Sequence, residues 1–132
     1  MIVVDSNIIV YLWLPGEFTD NAKKLLFKDE DWMVPFLWRS EFRNVLAHYL
    51  RKNLLTLSAA YTIIENAERQ FKANEYLINS EHVLELVNIS NCSAYDCEYI
   101  ALAKELNVEL FTNDKLILSS FPETAIPLTS VK

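Results

Sequence analysis

The chain has 132 residues, 52% of them hydrophobic, and a formal net charge of −6. That length suits one domain over residues 1–132, burying about two thirds of the surface its unfolded form exposes, while the acidic balance excludes a broad electrostatic surface for nucleic acid and leaves only a local site for such a role. There is no N-terminal signal pattern, and no apolar run approaches the roughly 20 residues of a membrane span, so a soluble, cytoplasmic protein with no membrane association is expected.

In chain order, Met1 to Val4 is a short apolar, β-branched run that stops at Asp5-Ser6-Asn7, which reads as a buried strand ending in cap chemistry. Ile8 to Leu14 is apolar almost throughout and suits a buried helix, closed by Pro15-Gly16. Thr19-Asp20-Asn21 opens a second helix through Phe27. Trp32 to Leu37 is a second apolar strand, and Pro35 places it near a sheet edge or a strand end. Arg39 to Lys52 follows as a helix with Phe42, Val45, Leu46, Tyr49 and Leu50 as its core stripe and Glu41 in its first turn. Ser58 caps a helix through Gln70, along which Ala59, Ile63, Ala67 and Phe71 recur at helical spacing.

Glu75 to Ile78 reads equally as a short strand or a helix lead-in, and Asn79-Ser80-Glu81 opens a helix through Ile89. Ser93 to Leu106 is the next helix, with Asp96, Tyr99, Ile100, Ala103 and Leu106 on one face, so Asp96 heads an apolar stripe. A strand Val108 to Phe111, a turn at Asn113-Asp114, an apolar segment Leu116 to Leu118 and a last strand Ala125 to Leu128 complete the chain. Cys92 and Cys97 are the only cysteines, lack Cys-x-x-Cys spacing and are expected to be reduced. Strands separated by helices imply crossover connections and an α/β fold with a largely parallel sheet covered on both faces. In such sheets the site lies beyond the carboxyl ends of the strands.

Four acids occupy comparable places there: Asp5 after the first strand, Glu41 in the helix after the second, Asp96 at a helix start and Asp114 after a late strand. Each has a structural role available to it. Asp5 can cap a helix, Glu41 and Asp96 can complement helix dipoles, Ser93-x-x-Asp96 resembles a capping box, and Asn113-Asp114 is ordinary turn chemistry. If the first and fourth strands lie side by side, however, all four carboxylates converge. Like charges that close repel, and a cluster of oxygen ligands without His or thiolate favours Mg²⁺ or Mn²⁺. The chemistry that follows is metal-assisted phosphodiester hydrolysis.

The segments Val3-Val4-Asp5-Ser6-Asn7, Ser40-Glu41-Phe42-Arg43-Asn44-Val45-Leu46, Tyr95-Asp96-Cys97-Glu98-Tyr99-Ile100-Ala101-Leu102-Ala103 and Phe111-Thr112-Asn113-Asp114-Lys115-Leu116 resemble, in that order, the PIN-domain ribonucleases, specifically the VapC-type toxins of prokaryotic toxin–antitoxin pairs. The resemblance implies a three-layer α/β/α domain, Mg²⁺- or Mn²⁺-dependent cleavage of RNA, a homodimer and a cognate antitoxin that blocks the site. It assigns Asp5, Glu41, Asp96 and Asp114 to the catalytic quartet, with Asp5, Asp96 and Asp114 nearest the metal and Glu41 orienting water or holding a second ion. Ser6 or Asn7 and Thr112 match small polar positions that hydrogen-bond the acids or water. Lys115 directly follows Asp114, where some relatives carry another acid.

Arg39, Arg43, Lys104 and Lys115 flank these segments and are the candidates for a phosphate-contacting rim. His48 and His82 have no paired ligand spacing, and the three tryptophans are read as core or dimer surface rather than base-stacking platforms. The helix from Leu57 to Phe71 is the candidate to receive an antitoxin helix, as the resemblance implies. Two other readings compete with the nuclease: an inactive PIN-like module that binds a protein partner or RNA without turnover, and a phosphoacceptor domain using Asp5 or Asp114.

Overall fold

The computed structural model describes residues 1–132. Its elements are β1 (Ile2–Val4), α1 (Ser6–Trp13), α2 (Thr19–Lys28), β2 (Trp32–Pro35), α3 (Leu37–Arg51), α4 (Leu57–Gln70), β3 (Glu75–Tyr76), α5 (Ser80–Asn88), α6 (Ala94–Leu106), β4 (Leu110–Thr112), α7 (Lys115–Ser120) and β5 (Ala125–Pro127), followed by one 3₁₀ turn at Leu128–Ser130. All four strand pairings are parallel, in the order β3-β2-β1-β4-β5. β1 therefore lies at the centre with β4 beside it.

Alternation along the strands divides the core in two. Ile2 and Val4 of β1 and Trp32 and Val34 of β2 pack under α1 to α4, against Ile8, Ile9, Leu25, Trp38, Phe42 and Phe71. Val3, Met33 and Leu110 face the other way, against α5 to α7, where Val83, Leu86, Tyr99, Ile100 and Ile117 are buried. The result is a three-layer α/β/α sandwich, the form a parallel sheet requires because both of its faces must be covered. No helix is long and apolar enough to cross a membrane.

Several boundaries differ from the sequence reading, each for a local reason. β2 ends at Pro35, and Phe36 is already in the helical region, so α3 begins at Leu37. β2 is internal to the sheet; the N–H groups of Val34 and of Phe36 just beyond it donate to Asn74 and Tyr76 of the β3 segment, and its pairing with β1 stops at Met33, so Pro35, at the strand end as expected, interrupts neither ladder. The earlier start puts Glu41 in the second turn of α3 rather than the first. Thr56, not Ser58, caps α4, accepting the Ala59 N–H at 3.1 Å. Ala60 and Ala67 are consequently the residues that α4 buries.

The single-stripe reading of α6 is also corrected: Cys97 and the whole run from Tyr99 to Ala103 are buried, because α6 is packed between the sheet and α5. Asn107 adopts the left-handed conformation that ends α6, and the Val108 N–H donates to Ala103 O. β4 therefore begins at Leu110 instead of Val108 and runs on to Thr112. The apolar segment after Asp114 is the helix α7. Cys92 and Cys97 are free and buried.

Candidate active site

Asp5 is the first residue beyond β1, and its backbone N–H continues the β1–β4 ladder by donating to Phe111 O at 3.0 Å. It caps α1, with one carboxyl oxygen accepting the Ser6 N–H at 2.7 Å. The other oxygen accepts the Thr112 hydroxyl, also at 2.7 Å. The same Thr112 oxygen accepts the Asp114 N–H at 2.9 Å, so one buried threonine ties the chain after β1 to the chain after β4. Asp114 in turn caps α7, its Oδ1 accepting the Leu116 and Ile117 N–H groups.

The other two acids arrive from opposite layers. Glu41 on α3 is half-buried and accepts the Tyr99 hydroxyl of α6 at 2.7 Å, with the Ser6 hydroxyl facing both groups. Asp96 lies in the first turn of α6, where its N–H donates to the Ser93 cap hydroxyl at 3.0 Å. Its carboxyl is also favoured in the charged form by the Ser93 hydroxyl and N–H, as a capping box requires.

Burial and mutual repulsion mark the four as one electrostatic unit. Asp5, only 5% exposed, has its pKa pushed up to about 7, chiefly by desolvation, with hydrogen bonds from Thr112 and Ser6 opposing and the charges of Asp96 and Glu41 adding to the rise. Glu41 is raised by burial and then by Asp96, against the stabilising Tyr99 bond. Asp96 is raised by burial and then by Asp114. Asp96 thus interacts with each of the other three. None of the four forms an ion pair with a lysine, arginine or histidine.

A hard divalent cation fits this donor set, since the charge is uncompensated, the donors are all oxygen, and Asn7 buries its side-chain carbonyl oxygen without a hydrogen-bond partner. No three acids stand in a closed ligating arrangement. The reason is visible in their partners: Glu41 is turned to Tyr99, and Asp5 and Asp114 each spend lone pairs on helix caps. The set suits an ion that keeps several of its own waters, as Mg²⁺ does, better than a fully protein-lined cage.

The rim candidates are not brought together. Arg39 is held by Glu75 through two contacts, Nε at 2.6 Å and Nη2 at 2.8 Å, and by Glu68 at 3.1 Å, so its charge is committed on the side of α3 turned to β3 and α4. Lys104 is eight residues along α6 from Asp96, about 12 Å down the axis, beside Glu123 at 3.5 Å. Arg43 and Lys115 are exposed and unpaired, Lys115 at the first residue of α7. Two contributors were not singled out from the sequence. Tyr99 read as a core residue, although a fully buried tyrosine hydroxyl demands a partner; Glu98 is a further half-buried acid close enough for Glu41 to raise its pKa.

The largest cavity, about 930 Å³, lies elsewhere, between α1, α2 and α4, and is lined by Leu12, Trp13, Leu26 and Arg69 among others. Trp13 there donates to Gln70, whereas Trp32 and Trp38 are in the core. Leu57 and Tyr61 of α4 are exposed.

A five-stranded parallel sheet of this order with acids gathered beyond β1 and β4 defines a class, and the chain belongs to the PIN domain family, whose model matches residues 2–121. Among individual proteins it is similar to Ribonuclease VapC3 of Pyrobaculum aerophilum, 26% identical over 129 residues, which cover 96% of this chain and 98% of that one. Among solved structures, PAE2754 from Pyrobaculum aerophilum superposes with a TM-score of 0.77 at 19% identity, covering 97% of this chain and 90% of that one. FitAcB from Neisseria gonorrhoeae gives 0.77 at 16% identity, with 98% and 99% covered. A toxin–antitoxin complex from Klebsiella pneumoniae gives 0.71 at 16% identity, with 97% and 98% covered.

Proposed function

We propose that this chain is a divalent-metal-dependent endoribonuclease of the VapC type, held in check by a cognate antitoxin and working as a homodimer in the cytoplasm. The observation that carries the reading is the uncompensated carboxylate cluster in which Thr112 binds the chain at Asp5 to the chain at Asp114. Membership of the PIN family and the likeness to a protein named as a ribonuclease support RNA as substrate. The toxin–antitoxin neighbour supports a protein partner that silences it.

Asp5, Asp96 and Asp114 are the residues to hold Mg²⁺ or Mn²⁺, directly or through water. When bound, the ion supplies a more acidic water and neutralises charge on the phosphate. Glu41, fixed by Tyr99 and Ser6, orients the attacking water and accepts its proton. Thr112 and the α1 cap keep Asp5 from rotating away. Arg43 and Lys115 are the free cations left to contact flanking phosphates.

Calorimetric titration with Mg²⁺ and Mn²⁺, wild type beside Asp96→Asn, followed by incubation with cellular RNA, tests this. Ion binding and discrete RNA fragments in the wild type, both lost in the variant, are expected. Equal cleavage by the two proteins, or cleavage that persists in excess EDTA, overturns it in favour of an inert binding module or another chemistry.

A further inference from the structure

A second concavity, about 430 Å³, opens beside the acids between the end of β2, the β3–α5 connection and the start of α6. Its volume is at the low end of the roughly 300–1,000 Å³ typical of small-ligand sites. Phe36 and Tyr95 stand at its walls, 45% and 64% exposed, with Tyr76 beside them. Its one charged residue is Glu98, whose carboxyl has no hydrogen-bond or ion-pair partner in the chain. The groove adjoins the acid cluster along α6: Tyr95 immediately precedes Asp96, and Glu98 is near enough to Glu41 to feel its charge.

These features select an occupant. An acid without a cation repels phosphate, so the backbone of a nucleic acid does not lie in this groove. Exposed aromatic rings stack on the face of any unpaired base. A carboxylate in the lining of such a groove can accept two N–H donors side by side. Among the four RNA bases only guanine offers that pair on its Watson–Crick edge, N1–H and N2–H. Adenine and cytosine present one amino group next to a ring acceptor, and uracil presents one N–H between two carbonyls.

We propose, on the basis of the nuclease reading above, that this groove is a nucleobase subsite in which Glu98 selects a guanine flanking the cut, stacked against Tyr95 and Phe36. The bidentate contact gives guanine roughly a 5- to 150-fold advantage over the other bases.

Sequencing the ends of RNA fragments made by wild type, Glu98→Ala, Glu98→Gln and Tyr95→Ala tests it, with light scattering to follow self-association. Wild-type cuts are expected to be enriched for guanine at one fixed flanking position. Glu98→Ala loses the enrichment, and Glu98→Gln loses it too, because an amide with one acceptor and one donor finds a matching donor–acceptor pair on the Watson–Crick edge of every base. Tyr95 is exposed, so Tyr95→Ala folds and weakens the preference without redirecting it. Enrichment that is absent from the wild type or unchanged in the variants overturns the proposal, as do variants whose defect follows loss of a dimer, which would assign the groove to a second copy of this chain. Should the wild type cut nothing, the nuclease reading fails by itself. The groove is then judged by fluorescence anisotropy of guanine- and adenine-containing tetranucleotides in EDTA: guanine preference that Glu98→Ala removes sustains it, and equal affinities overturn it.

Discussion

Raising the pH from 5 to 8 is expected to destabilise the ion-free protein, with Asp5 as the main cause. Its carboxyl has a pKa of about 7 in the fold against 3.8 as the reference value, so the folded state holds the proton more tightly than the unfolded chain. Stability is then greatest below 3.8 and is lost as pH rises through 7. The whole window corresponds to about 4 kcal/mol, of which roughly 3 kcal/mol falls between pH 5 and 8. Glu41, Asp96 and Glu98 are raised as well and add in the same direction. Asp29 and Glu75 are lowered and act only below this range. Asp5→Asn removes the ionisation but keeps one acceptor oxygen for two donors, a loss of about 1 kcal/mol. The variant should therefore match the wild type near pH 5 and exceed it by about 2–3 kcal/mol at pH 8. Urea unfolding in EDTA at four pH values measures both slopes. A wild-type stability that is flat or rises from pH 5 to 8, or an Asn variant that falls in parallel with it, refutes the assignment of Asp5 as a carboxylate strained by burial.

Two further outcomes follow from contacts already described. Tyr99→Phe removes the hydroxyl that holds the Glu41 pKa down. The acid limb of the cleavage pH profile should move to higher pH and kcat should drop about tenfold, the equivalent of one hydrogen bond to a charged group; an unmoved limb would show that Glu41 takes no part. Arg39→Leu strips Glu75, whose side chain is 8% exposed, of its paired contact. A loss of about 2 kcal/mol is expected, discounted from a fully buried pair because Arg39 is itself 31% exposed, and the urea midpoint of Arg39→Leu with Glu75→Leu should recover part of it.

What the sequence disclosed was set by local chemistry. The β-branched run before Asp5, the capping residues and the order of strand and helix are properties of neighbouring residues, and they placed all four acids at one end of the sheet. What it withheld depends on direction in space. Arg39 lies two residues from Glu41, which on a helix is 200° around the axis, so adjacency in the chain put it against Glu75 on the far side. Tyr99 meets Glu41 across 58 residues, and no periodicity distinguishes a hydroxyl that donates to an acid from a ring that fills the core. β4 starts two residues later than the apolar run suggests because Asn107 and Val108 serve the helix exit before the strand begins.

The bond from Thr112 to Asp5 joins residues 107 positions apart. Such a contact can form only after most of a chain made from its N-terminus has emerged. While synthesis is under way, Asp5 and Glu41 can be outside the ribosome with their local helices formed, yet the strand that positions Asp114 beside Asp5 is still missing. A product that stops before β4 consequently carries at most three of the four acids and no complete site. For a protein whose proposed activity is the destruction of RNA, this order of assembly shields the message being translated, and it needs no separate inhibitor until the final strands have been released.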